Sequence, residues 1–146
     1  IERPSNLQSF KGVLDKMDKA QKSGKSVIYQ LGYSNLSFDL WMILHKDICN
    51  ASFTEPHQYL EKINKVYNEK FASMEEYKQE RNFKRLLSKL SLDDVKRAIG
   101  YAENIERKNA QNYTIQKHKE FKYYVENPSL SINVSIKKIL EECKLT

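Results

Sequence analysis

Along the first twenty residues, apolar side chains recur at Leu7, Phe10, Val13, Leu14, Met17 and Ala20, the three-four spacing of an amphipathic helix. Lys11, Asp15, Asp18, Lys19 and Lys22 fall on its polar side. Ser5 is placed to cap this helix and Gly24 to end it. Residues 26–33 (SVIYQLGY) lack that period. With β-branched Val27 and Ile28 and an interruption at Gly32, they read as either a short helix or an extended linker.

Residues 35–50 (NLSFDLWMILHKDICN) are apolar nearly all round, which predicts a helix in the middle of a bundle with Trp41 as a core anchor. Asp39, Lys46 and Asn50 make a narrow polar strip expected to reach solvent, with Asp47 at its edge. Thr54 before Glu55 and Pro56 opens the next helix, carrying Tyr59, Leu60, Ile63, Val66, Tyr67 and Phe71. Ser73 and Glu76 fit a capping box, so a further helix is expected with Met74, Tyr77, Phe83, Leu86, Leu87 and Leu90 inside. Ser91 and Asp94 repeat the logic for a helix with Leu92, Val95, Ala98, Ile99 and Ile105 on its inner side.

Residues 107–114 (RKNAQNYT) turn polar. Thr114 is then expected to cap a helix carrying Ile115, Phe121, Tyr124 and Val125, stopped by Asn127 and Pro128. Ser129 or Ser131 opens a last helix through Ile132, Ile136, Ile139, Leu140 and Cys143, with Lys144 near its negative end. No repeat and no linker divides the chain. The expectation is an all-α fold, a single irregular bundle of six or seven helices over residues 1–146.

Composition supports helices, since 4 Gly and 3 Pro in 146 residues supply little of the turn chemistry that an all-β fold needs. A hydrophobic share of 40% excludes a disordered tail. The net charge of +6 admits an anionic partner. It is spread evenly, however: residues 1–50, 51–100 and 101–146 hold 7, 10 and 8 basic against 5, 8 and 6 acidic side chains. A phosphate-binding surface must therefore be assembled in three dimensions. The longest apolar run, Leu40 to Leu44, is far too short to span a bilayer. With no secretory leader pattern in view, the expected location is intracellular and cytoplasmic.

Two local patterns concentrate positive charge. Arg81, Arg85 and Lys89 stand four apart with Lys84 beside them, a stripe able to follow phosphates, although Glu80 lies four residues before Lys84. Lys117, Lys119 and Lys122 are interleaved with His118, Phe121, Tyr123 and Tyr124; Tyr123 is the ring expected to be exposed. Lys96 and Arg97 extend the first stripe.

His45 and Cys49, four apart, have the spacing of a base and a thiolate, or of two metal ligands completed by His57 or His118. Their apolar setting favours core packing with a satisfied imidazole. Cys49 and Cys143 form no metal-ligand spacing, the four glycines form no phosphate loop, and no catalytic signature is present. No catalytic residue, metal or cofactor is therefore assigned.

Tyr77, the run from Leu92 to Val95 and Glu126-Asn127-Pro128 together resemble the helical core-binding domain of tyrosine recombinases over about a third of the chain. The resemblance implies a helical DNA-binding unit; that family's catalytic half, with its Arg, His and Tyr constellation, does not occur here. The function expected from the residues is a non-enzymatic helical module contacting nucleic acid through Arg81, Lys84, Arg85, Lys89, Lys117 and Lys122. The alternative is a protein-interaction or regulatory adaptor. The oligomeric state is left open.

Overall fold

The computed structural model describes residues 4–24 and 26–146, apart from the side chains of Pro4 and Ser5. Seven α-helices are found among them: α1 (Pro4–Gln21), α2 (Asp39–Leu44), α3 (Tyr59–Tyr67), α4 (Met74–Tyr77), α5 (Glu80–Ser88), α6 (Leu92–Asn112) and α7 (Ile132–Glu142). A 3₁₀ turn, Pro56–Gln58, leads into α3. The fold is a mostly helical bundle, as the apolar periodicity requires, with one departure. Strands β1 (Gln116–His118) and β2 (Phe121–Tyr123) form an antiparallel hairpin.

The hairpin occupies the place expected for a helix. Phe121 and Tyr123 are buried while Lys122 between them is exposed, so the burial period is two rather than 3.6. Lys119 supplies the left-handed residue at the turn (φ 55°). Tyr123 is consequently a core ring, not an exposed one.

Two clusters of buried apolar side chains organise the bundle. In the larger, all six residues of α2 are buried, and α2 packs against α3 and α6 while α6 also packs on α7. Trp41 is 5% exposed, as expected of an anchor. The helix is far shorter than residues 35–50, and it has no solvent face, so Asp39 is buried instead of forming part of a polar strip. Its carboxylate accepts the Ser37 hydroxyl. In the second cluster, Leu14 of α1 meets Tyr33, Phe121 and Tyr123, with Phe10 edge-on to Tyr123 at 4.9 Å. Val13, at the margin of the α1 stripe, is exposed. The helix begins at Pro4, so Ser5 lies inside it rather than ahead of it, and the Ser5 side chain lies outside the described residues.

Polar bonds from the segment after α1 tie the clusters together. Asn35 donates through Nδ2 to the carbonyls of Val125 and Glu126 at 2.8 and 2.9 Å, and its amide donates to Ser129 O at 2.7 Å. Tyr33 receives the Tyr124 amide on its hydroxyl at 2.9 Å. These bonds satisfy backbone groups of a non-helical connection that would be costly to bury unpaired.

Residues 26–33 are not helical, which resolves the two readings toward an extended linker. Ser91 caps α6 through a full capping box with Asp94, and α6 runs on to Asn112 through the polar stretch that begins at Arg107. Ser73 caps α4 by accepting the Glu76 amide at 3.1 Å. The helix expected to continue to Leu90 breaks after Tyr77 and resumes at Glu80, with Asn82 Nδ2 bonding the freed Glu76 carbonyl at 2.8 Å.

Candidate functional site

Cationic side chains in this molecule fall into two kinds of setting, and the loop after α3 creates the first. Asn68 takes a left-handed conformation at the α3 C-cap (φ 54°, ψ 50°), which asparagine tolerates better than most residues. The chain therefore turns at Tyr67 instead of continuing helically to Phe71. Asn64 closes the turn by bonding both the amide and the carbonyl of Phe71, at 2.9 and 3.0 Å.

This turn delivers Glu69 to the stripe on α5. Arg85 clasps its carboxylate with Nε at 2.9 Å and Nη2 at 2.8 Å, a bidentate fork, while Lys89 Nζ reaches it at 2.9 Å. Lys89 also donates to Tyr67 O at 2.8 Å, and the Arg85 guanidinium lies 5.7 Å from the centre of the Phe71 ring. The Arg85 fork, with Lys89 behind it, holds the Glu69 carboxyl down at about 2. Lys84 pairs with Glu80. Of the four stripe residues, Arg81 has no ion-pair partner among the described residues.

Asp94 acts on the neighbouring cations in the same way. Lys46 and Arg97 reach its two oxygens at 2.8 and 2.6 Å. Burial by itself would raise the Asp94 carboxyl; hydrogen bonds from Lys46 and the Ser91 amide nevertheless hold it well below the usual carboxylate range. The extension of the stripe expected at Lys96 and Arg97 thus keeps only Lys96 unpaired among the described residues.

The hairpin brings Lys117 and Lys122 together, since they are register partners and so project from one face. The hairpin packs on the second cluster and α5 on the first. His118 pairs with Asp15 of α1 at 2.6 Å.

His45 and Cys49 do not form a dyad. Helix α2 ends before either residue, and the His45 ring is occupied at Nδ1 by Trp41 O at 2.8 Å. Burial lowers the His45 pKa and raises the Cys49 thiol, so the neutral forms of both are favoured.

The second setting for cations was not singled out as a site from the sequence. A groove runs beside the C-terminal half of α6. One part, of about 310 Å³, is lined by Tyr101, Asn104, Ile105, Arg107, Lys108 and Gln111 of α6 and by Leu44, Ile48, Cys49 and Asn50 opposite. A second part, of about 170 Å³, shares Asn50, Ile105 and Lys108 and continues to Asn112, Tyr113, Asn127 and Pro128. Hydrogen bonds fix its walls. Ser52 donates to Asn127 O at 2.9 Å, Asn127 Nδ2 to Phe53 O at 2.8 Å, and Asn109 Nδ2 to Pro128 O at 3.0 Å.

Among the described residues, no carboxylate lines either part of the groove. Arg107 and Lys108 have no ion-pair partner among the described residues, and Arg107 instead donates to Asn104 Oδ1. The other α6 acids turn elsewhere: Glu103 pairs with Lys137 of α7, and Glu106 lines a different cavity with Tyr124 and Lys122. The one signal available in the sequence was the polar run beginning at Arg107, which reads as a helix end when the helix in fact continues.

A comparison with family models matches residues 5–139 to the RloB-like protein model. No curated protein and no solved structure matches the chain. No helix among the described residues is long and apolar enough to cross a membrane.

Proposed function

The chain belongs to the RloB-like protein family, and from that premise we propose that it is a non-enzymatic, intracellular helical module that contacts nucleic acid through the α6 groove. The observation that carries this reading is the pair Arg107 and Lys108, unneutralised in a concave, carboxylate-free lining. Cations in such a setting release counterions on meeting a phosphate backbone, whereas cations already held by Glu69 or Asp94 must first give up a partner. Arg81, Lys117 and Lys122, unpaired among the described residues, are secondary contacts in this reading; Lys84, paired with Glu80, and Arg85 and Lys89, held by Glu69, are not counted among the contacts. The resemblance to a recombinase core-binding domain does not support this reading, because the stretch expected to be helical before Asn127 contains a hairpin and the family match is to a different family.

Titration of labelled oligonucleotides at low and physiological salt tests the reading. Affinity should fall steeply with salt, and Arg107→Ala with Lys108→Ala should reduce the slope of log affinity against log salt by about 1.4 to 1.8. Binding without salt dependence, or a double variant that binds as the parent does, would sink it.

A second reading, a protein-interaction module, is favoured by one feature. Val27, Ile28 and Tyr29 are 48%, 81% and 38% exposed on the extended linker, beside a cavity of about 490 Å³ that also takes in Val134. Light scattering should then detect self-association that Ile28→Glu abolishes. A strict monomer whose properties Ile28→Glu leaves unchanged removes this reading.

A further inference from the structure

The shape and lining of the α6 groove specify more than an anion, and we infer that its ligand is a single strand of nucleic acid, its phosphates at Arg107 and Lys108 and a base stacked on Tyr113. This rests on the nucleic-acid reading above and goes beyond it by naming the form of the polymer.

Shape comes first. Direct readout of a duplex in its major groove, about 12 Å wide, uses a protruding helix or ribbon. Here α6 lines a concavity together with the segments that hold Asn50, Asn127 and Pro128. A cavity of about 310 Å³ that continues into one of about 170 Å³ accepts unstacked bases and a single backbone. It does not accept the convex surface of a double helix.

Chemistry agrees with shape. Asn104, Gln111 and Asn50 bring side-chain amides, each with two donors and one acceptor oxygen, to the same concavity as the two cations. Amide groups match the edges of bases that are free of Watson–Crick partners, the usual target of single-strand recognition. Arg107 spends one donor on Asn104 Oδ1 and keeps the rest of its fork.

Tyr113 completes the arrangement. It follows the last residue of α6, is 44% exposed, and is held by its amide, which donates to Asn109 O at 2.8 Å. Along the helix axis it lies roughly 8 Å beyond Lys108, at 1.5 Å per residue, so a phosphate on Lys108 and a ring on Tyr113 belong to neighbouring nucleotides. Aromatic stacking is tolerant of base identity, so the expected preference is for single-strandedness rather than for a sequence.

Fluorescence anisotropy on the full chain, with oligo(dT), oligo(rU), a blunt DNA duplex and a mononucleotide competitor, tests the inference. One or both single strands should bind at least fivefold more tightly than the duplex. Tyr113→Ala should weaken single-strand binding roughly tenfold with an unchanged salt slope, and Tyr113→Phe should restore it. Circular dichroism melts of each variant check folding. Duplex binding as tight as single-strand binding, or a Tyr113→Ala variant that binds as the parent does, overturns the single-strand assignment while salt-dependent binding leaves the nucleic-acid reading standing. Displacement by the mononucleotide at equal affinity also overturns it, in favour of a nucleotide pocket. Failure of every polymer to bind removes both.

Discussion

Helix α5 and the C-terminal half of α6 each carry adjacent cations on one amphipathic helix, and in sequence α5 is the more conspicuous because Arg81, Arg85 and Lys89 repeat at one interval. In the fold their fates diverge. Glu69 reaches α5 from a loop that an asparagine in the left-handed region turns back, and two of the stripe cations close on it. Among the described residues no carboxylate reaches the α6 groove, whose opposite wall is built from apolar residues, a thiol, amides, a hydroxyl and a proline. A regular stripe of charge in the sequence thus does not say which of its cations carry a counter-charge in the fold. What decides is whether that counter-charge can reach the stripe.

Asp94 gives the largest expected effect, because it both caps α6 and neutralises the half-buried Lys46. Asp94→Ala should cost about 3 kcal/mol of stability, read by urea unfolding, since it strips a capping box and leaves a cation without its partner. A loss below about 1 kcal/mol would mean that solvent already screens this cluster, and the contrast between tied and free cations would fail on the stability side.

The comparison is broken or sharpened most directly by two double variants measured for oligonucleotide binding. Arg107→Ala with Lys108→Ala should weaken binding about tenfold or more at low salt while shifting stability by less than about 0.5 kcal/mol. Arg85→Ala with Lys89→Ala should do the reverse, changing affinity less than about twofold and lowering the melting temperature. Equal losses of affinity from the two pairs would show that ion pairing does not withdraw α5 from the ligand.

Glu69 makes a smaller contribution that depends on pH. Its folded pKa of about 2 lies below the ordinary value of 4.5, so the stability it confers is fully present above about 4.5 and is lost as pH falls toward 2. Glu69→Gln should therefore lower stability by about 1 kcal/mol at pH 7, a figure kept small because Arg85 and Lys89 are partly exposed, at 47% and 35%. Melting temperatures of parent and variant should converge near pH 2. A constant gap across that range would show that Glu69 acts through packing and not through charge.

The smallest expected effect is at Lys117 and Lys122. Their paired substitution by alanine should change affinity about twofold and leave the melting temperature unchanged, as suits exposed side chains on a short hairpin beside the groove helix.

Much of the fold was legible because its determinants are local. The Ser73 cap and the capping box at Ser91 mark true helix starts, Trp41 is a core anchor, and the last helix opens at Ser131. The two caps depend on residues within one turn. The misread elements are those where a local pattern admits two periods or where a partner lies far along the chain. Phe121, Tyr124 and Val125 fit an amphipathic helix on paper with Tyr123 outside, yet burial of Phe121 and Tyr123 with Leu14 and Tyr33 selects the two-residue period. Asp39 has the spacing of a solvent strip and is buried because α3 and α6 close over α2.

By itself, then, the sequence determined the mostly helical class, the positions of several helix starts and the apolar identity of the centre, because backbone amides are capped, and apolar faces repeat, over distances of a few residues. Tertiary structure alone decided which cations are free. Pairing of Arg85 with Glu69 spans 16 residues and that of Lys46 with Asp94 spans 48, and an ion pair forms according to distance in space. The groove on α6 has the same origin: residues 50, 107 and 127 become neighbours only when the connections fold back onto the helix.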